Sequence, residues 1–236
     1  MTPIKLALIG MGRMGRALAE LAPERGFDVV ARLGHAQPIT RESLHGAAVA
    51  IEFTAPDAAA ANVLACAAAG CPVVAGTTGW YGELPRVRAE VERAGTALLH
   101  APNFSVGVAI FDRVVAEAAR LFASVPGFDA HLVETHHRAK KDAPSGTATS
   151  LARTAEAASG KPLAITSVRV GSVPGTHELV FDAPFEQVRL VHEARDRRVF
   201  AEGALAAARW LVGRRGVFTM HDVLATSAPT PHSQQQ

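Results

Sequence analysis

The sequence predicts an α/β protein whose first part is a parallel sheet and whose second part is an α+β layer with an open mixed sheet. Three observations carry this. From residue 3 to about 103, short apolar runs alternate with stretches of helical period, the pattern of βαβ units. Glycines Gly10, Gly12 and Gly15 punctuate the end of the first run. After Asn103, strand-like runs follow one another with few helices between them.

Taken in order, Ile4–Ile9 reads as a buried strand, and Met14, Leu18 and Leu21 then recur at helical spacing. Phe27–Leu33 and Ala47–Phe53 are the next strands. The alanine-rich stretch Asp57–Ala69 reads as a helix stopped by Gly70. Pro72–Ala75 and Thr96–His100 are further strands, and Leu84, Val87 and Val91 mark an amphipathic helix between them. Val108 to Leu121 then predicts one long helix. Strands follow at Phe128–Glu134, Leu163–Val170, His177–Asp182 and Glu186–Glu193, with a helix near Ser145–Ala158. An Ala/Leu helix runs from Phe200 to near Gly213, Val217–Leu224 finishes the fold, and Thr226–Gln236 reads as a polar, frayed tail.

Composition narrows the class of protein. Hydrophobic residues make up 48% of the 236 and charged residues 19%, enough to bury a core. The formal net charge is +2 with the charges interspersed, so no basic block marks a nucleic-acid or anionic-lipid partner. Cys66 and Cys71 form no CxxC pair and read as buried thiols, not as a disulfide framework. No apolar run reaches the ~18 residues of a membrane span. The amino terminus shows no signal-peptide pattern, so a cytoplasmic location is expected.

The glycine cluster is a G-x-G-x-x-G placed between the first strand and the first helix, as in a Rossmann-type nucleotide domain. One glycine permits the tight turn, the next admits a pyrophosphate to the backbone, and the third lets helix pack on strand. The helix start offers amides and positive potential to phosphates, and Arg13 adds a charge-assisted contact. No acid ends the second strand to hold the ribose of NAD. Arg32 stands there instead, which favours NADPH over NADH, the alternative being a solvated strand-end residue. Two later strand ends, Gly76-Thr77-Thr78 and Ala101-Pro102-Asn103-Phe104, are either simple turns or further cofactor contacts.

The segment from Glu134 to Ala148 is the densest in chemistry: ETHHRAKKDAPSGTA. His136, His137, Lys140 and Lys141 precede Ser145-Gly146-Thr147, a helix start suited to a carboxylate. A histidine that titrates near neutrality and a lysine that donates a proton would suit a small dianion. The neighbouring histidines have no evident partner ligands, so no metal is expected, and Ser145 lacks a nucleophile elbow.

Here the chain resembles the 4-hydroxy-tetrahydrodipicolinate (dihydrodipicolinate) reductase family, whose E-x-HH-x-x-K-x-DAPSGTA segment is matched throughout. The resemblance extends to GTTG at 76–79, APNFSVGV at 101–108, FAEGALAAARWL at 200–211 and GVFTMHDVL at 216–224. It implies a nucleotide domain built from residues 1–103 and 199–236. An inserted domain at 104–198 would bind substrate and build a homotetramer. It implies His136 as catalytic acid/base and Lys140 as proton donor, with substrate contacts at His137, Ser145, Gly146 and Thr147. Cofactor contacts would fall at Gly10, Met11, Gly12, Arg13, Met14 and Gly15, and on the two loops just named. Arg169, Gly171, Gly175 and His177 match a family loop, in which Pro174 is a departure.

The expected reaction is NAD(P)H-dependent reduction of a small cyclic dicarboxylate in the diaminopimelate route to lysine. The alternatives are a nucleotide-sensing regulator without turnover, or another NADP-linked amino-acid-pathway dehydrogenase.

Overall fold

The computed structural model describes residues 2–35 and 37–225, so the expected frayed tail at Thr226–Gln236 lies outside the described residues. The chain divides into two units, one made of residues 1–104 and 200–236 and the other of residues 105–199.

The first unit is built on a six-stranded, all-parallel sheet. Its strands are β1 (Ile4–Ile9), β2 (Phe27–Leu33), β3 (Val49–Glu52), β4 (Val73–Ala75), β5 (Ala97–His100) and β10 (Gly216–Phe218). The order β10-β5-β4-β3-β1-β2 reverses direction between β1 and β3, the place where open α/β sheets bind ligands. Parallel strands covered on both faces read as continuous apolar runs, and β3 and β4 are buried at every residue. The helices are α1 (Arg13–Leu21), α2 (Pro56–Ala68), α3 (Leu84–Arg93), α6 (Arg198–Leu211) and α7 (Met220–Ala225). The core gathers Ile9, Leu33, Val63, Val73, Val87 and Leu98 with the two cysteines. Cys66 and Cys71 are free and buried, and burial pushes the Cys71 thiol up to about 12.

The second unit carries a four-stranded mixed sheet in the order β7-β6-β8-β9. Here β6 is Asp129–His136, β7 Ala164–Arg169, β8 Thr176–Ala183 and β9 Glu186–Glu193. β6 runs parallel to β7 and antiparallel to β8, and β8 runs antiparallel to β9. Helices α4 (Val106–Ala123) and α5 (Gly146–Ser159) pack together, with a core of Phe111, Val115, Leu132, Leu151, Leu179 and Phe181.

Two boundaries differ from the sequence reading. The closing segment 217–224 splits into a short strand and a helix, because Thr219 donates both N–H and hydroxyl to Asp222 and starts α7. β6 continues two residues past Glu134 to His136, because β7 pairs with it as far as His136↔Arg169. This second difference decides the geometry of the site.

Candidate active site

In the first unit, the carboxyl ends of β1, β3, β4 and β5 bring the expected nucleotide loops onto one rim of the sheet. Gly10 has φ +92°, and a Cβ there would fall 2.0 Å from the Phe53 carbonyl oxygen. A Cβ on Gly15 would fall 2.0 Å from the carbonyl oxygen of Gly10, so these two glycines are required by packing. Gly12 is different: a Cβ there meets nothing within 4 Å. It caps α1 without a side-chain hydrogen bond, which leaves that helix start open to an anion. Arg13 is exposed beside it, and Met11 and Met14 are half-buried. These features fit a dinucleotide phosphate group.

The other two loops are fastened from below. Gly76 lies against Phe53, whose ring a Cβ would meet at 2.1 Å, and Phe53 packs edge-on to Phe104 at 5.9 Å between centroids. The Thr77 hydroxyl donates to Glu52 at 2.9 Å and accepts from the Thr54 N–H at 2.7 Å, while Trp80 Nε1 donates to the Thr77 carbonyl at 2.8 Å. The Thr54 hydroxyl also donates to Glu52, a fully buried residue whose carboxyl is raised by burial. Thr78 and Pro102 are exposed, Asn103 half-buried and Ala101 buried. Arg32 is exposed at the end of β2, its Nη1 3.4 Å from the Val29 carbonyl. Sequence reasoning missed Glu52 and Phe53, which belong to a strand end and carry no motif of their own.

The second unit assembles the segment at 134–148 around β6. Residues two apart on a strand share a face, so Glu134 and His136 point the same way. His136 Nδ1 donates to Glu134 Oε2, and Arg169 Nη2 donates to Glu134 Oε1 at 2.6 Å. Burial alone would raise the Glu134 carboxyl, but hydrogen bonds from Arg169, Ser167 and His136 pull it down to about 2. His136 is nearly buried, and burial lowers its pKa despite the neighbouring carboxylate. His177 on β8 stacks edge-on to His136 at 5.2 Å between centroids, and burial brings it down to about 4.

The chain then turns, with Lys140 N–H donating to the His137 carbonyl at 3.1 Å. Lys140 Nζ lies 2.8 and 2.9 Å from the two carboxylate oxygens of Asp142. Arg169 Nη2 also donates to the Asp142 carbonyl at 2.6 Å and so ties this turn to Glu134. A cis peptide joins Ala143 to Pro144 ahead of α5.

Ser145 is not presented to a ligand as expected. It is buried and caps α5, its Oγ accepting from Ala148 N–H at 3.2 Å and lying 3.3 Å from His177 Nε2. Gly146 is the open position, since a Cβ there meets nothing within 4 Å. Thr147 and His137 are half-buried beside it. The sequence shows no third ligand for the adjacent histidines, whereas the structure gathers Glu134, His136 and His177 within 4.8 Å of one another. Both carboxylate oxygens of Glu134 are already engaged, by the imidazole and the guanidinium. The cluster is therefore a hydrogen-bonded network. Glu134, Arg169, Gly175 and His177 were visible in the sequence as motif letters without roles.

Residues 4–104 match the family model for the N-terminus of dihydrodipicolinate reductase, and residues 107–224 match the model for its C-terminus. The chain belongs to the dihydrodipicolinate reductase family. Family membership makes it an oxidoreductase served by a reduced nicotinamide nucleotide. The 4-hydroxy-tetrahydrodipicolinate reductase of Christiangramia forsetii is 33% identical to it, over 94% of this chain and 98% of that protein. The enzyme of the same name from Stenotrophomonas maltophilia is 38% identical with the same coverage. A dipicolinate-bound dihydrodipicolinate reductase from Paenisporosarcina sp. TG-14 shares the fold, with a TM-score of 0.77 at 21% identity. The match covers 92% of this chain and 98% of that one. Among the described residues, no helix is long and apolar enough to cross a membrane.

Proposed function

We propose that this reductase converts 4-hydroxy-2,3,4,5-tetrahydrodipicolinate to tetrahydrodipicolinate, with His136 and Lys140 handling the protons. The observation that supports this most directly is the grouping of His136, Lys140 and the open start of α5 on one unit. One hydride and one proton enter and the 4-hydroxyl leaves as water, so the reaction needs a proton source beside an anionic substrate. NADPH or NADH supplies the hydride when bound.

The residues divide the remaining work. Gly10 to Gly15 and the start of α1 hold the pyrophosphate; Gly76, Thr77, Thr78 and the loop Ala101-Pro102-Asn103-Phe104 hold the nicotinamide end. Gly146 and Thr147 offer the α5 amides to one substrate carboxylate, with His137 alongside. Ser145 acts through the cap. Lys140 Nζ exchanges its Asp142 partner for the substrate and gives up a proton, and His136 Nε2 carries a proton in the same exchange. Dipicolinate, the ligand of the Paenisporosarcina protein, is a flat dicarboxylate of the size this arrangement suits. The preference for NADPH rests on Arg32, and a homotetramer in the cytoplasm completes the reading.

The decisive assay follows oxidation of NADPH and of NADH with the cyclic substrate generated in situ by the synthase that precedes it. Oxidation should depend strictly on that substrate; none with either nucleotide would sink the reading. Arg32→Ala should raise KM for NADPH by about 10- to 150-fold and spare NADH, as expected for a charge-assisted phosphate contact. Equal effects on both nucleotides would remove Arg32 from discrimination.

A further inference from the structure

A carboxylate with no solvent exposure in the middle of a sheet is costly unless each oxygen has a strong partner. Glu134 is such a group. It lies on β6 between two neighbours, opposite Ser167 of β7 and His177 of β8. Its Oε1 takes the Arg169 guanidinium at 2.6 Å and its Oε2 takes His136 Nδ1. An ordinary structural ion pair between β6 and β7 would satisfy Arg169 and Glu134 alone. It would not require the second oxygen to meet the ring nitrogen of a candidate catalytic histidine.

We propose that Glu134, clamped by Arg169, is a positioning residue that holds His136 in the tautomer protonated at Nδ1, leaving Nε2 as its basic atom. This rests on the reading of His136 as a proton carrier. An ionised carboxylate only accepts hydrogen bonds, so the hydrogen between Glu134 and His136 belongs to the imidazole. The groups around the ring fix the rest of its surroundings. His177 stands edge-on, Lys140 and Arg169 supply positive charge, and Gly175 lies at the Nε2 side with no side chain to cover it. The Arg169 contact to the Asp142 carbonyl ties the same clamp to the turn that carries Lys140. One guanidinium thus sets the base and steadies the acid.

Glu134→Gln gives a sharp test, because an amide has one accepting and one donating end. The end facing Arg169 must accept, so the amide NH2 is turned toward His136 Nδ1 and donates to it. The imidazole is then forced into the opposite tautomer, protonated at Nε2. Nitrogen-15 NMR of the histidine rings in the full-length protein reads this directly. The parent should show His136 protonated at Nδ1 and bare at Nε2 near neutral pH. The variant should show the reverse, with kcat lower by about 10²–10⁴-fold and NADPH affinity unchanged.

A parent His136 protonated at Nε2 overturns the proposal, even if the variant does not fold. A variant that loses turnover without changing tautomer, or changes tautomer without losing turnover, overturns it too. His136→Gln keeps the two readings apart: undiminished turnover there removes His136 from the chemistry altogether, whatever Glu134 does.

Discussion

Gly175 lies against the imidazole of His136, so that a Cβ at position 175 would come 2.9 Å from Nε2 and 3.3 Å from Cδ2. Real Cβ atoms do not approach so closely, and His136 is held from its other side by Glu134. Gly175→Ala should therefore displace the ring or cover its nitrogen. A misplacement of about 1 Å in a reacting group costs on the order of 10²-fold in rate. Steady-state kinetics should show kcat reduced by that order while nucleotide affinity in calorimetry is unchanged. Full turnover in this variant would mean that Nε2 takes no part.

The glycines of the first loop should separate by function. Gly12→Val places its side chain where nothing lies within 4 Å, so the Tm should be nearly unchanged while NADPH binding is lost. Gly15→Ala drives a methyl into the carbonyl oxygen of Gly10, at 2.0 Å before relaxation, and should lower Tm instead. Calorimetry and thermal melts on the pair distinguish the two roles. Unaltered NADPH affinity in Gly12→Val would end the phosphate-cradle reading.

Lys140→Met retains most of the aliphatic stem but removes the charge and the proton. If Lys140 is the acid, kcat should fall by about 10²–10⁴-fold, the usual range for a general acid. The nucleotide loops belong to the other unit, so NADPH binding should persist. Near-parental turnover would leave His136 or water as the donor.

Acid should weaken the fold through His177. Burial first, then the nearby His136, depresses its pKa from the ordinary 6.5 to about 4. Between those values the unfolded chain binds a proton that the folded chain refuses, so stability is full above the unfolded value and falls as pH drops toward 4. By linkage, the loss near pH 5 is about 2 kcal/mol from this one group. Urea midpoints near neutrality and near pH 5 should fall further for the parent than for His177→Gln, which has no such proton to bind. The Glu134 contribution is lost only at lower pH, below the ordinary carboxylate range, because its folded value is about 2. Identical acid losses in parent and variant would remove His177 as the cause.

Much of this was legible before any coordinates, for physical reasons. Strands of a parallel sheet are buried on both faces, so Ile4–Ile9 and Val73–Ala75 announce themselves as apolar runs. Gly10 and Gly15 are glycines because backbone atoms occupy the space of a side chain. Glu134 could not be read in the same way. Its role depends on Arg169, 35 residues away, and on the register that places Arg169 opposite His136. Ser145 was misjudged for a related reason: a Ser-Gly-Thr helix start looks alike whether its hydroxyl meets a ligand or its own backbone. Only the 3.2 Å bond to Ala148 N–H distinguishes them.

The pairing of β10 with β5 has a consequence for synthesis on the ribosome. Ala97–Leu99 find their outer neighbours only in Gly216–Phe218, after the whole of the second unit has been translated. Until then the nascent first unit exposes the bare side of β5, a row of unsatisfied amides and carbonyls next to Leu98 and Leu99. The intervening residues 105–199 form a continuous stretch with a sheet and core of their own, and they emerge during that interval. A delay in their folding would lengthen the time for which the growing chain is open to aggregation.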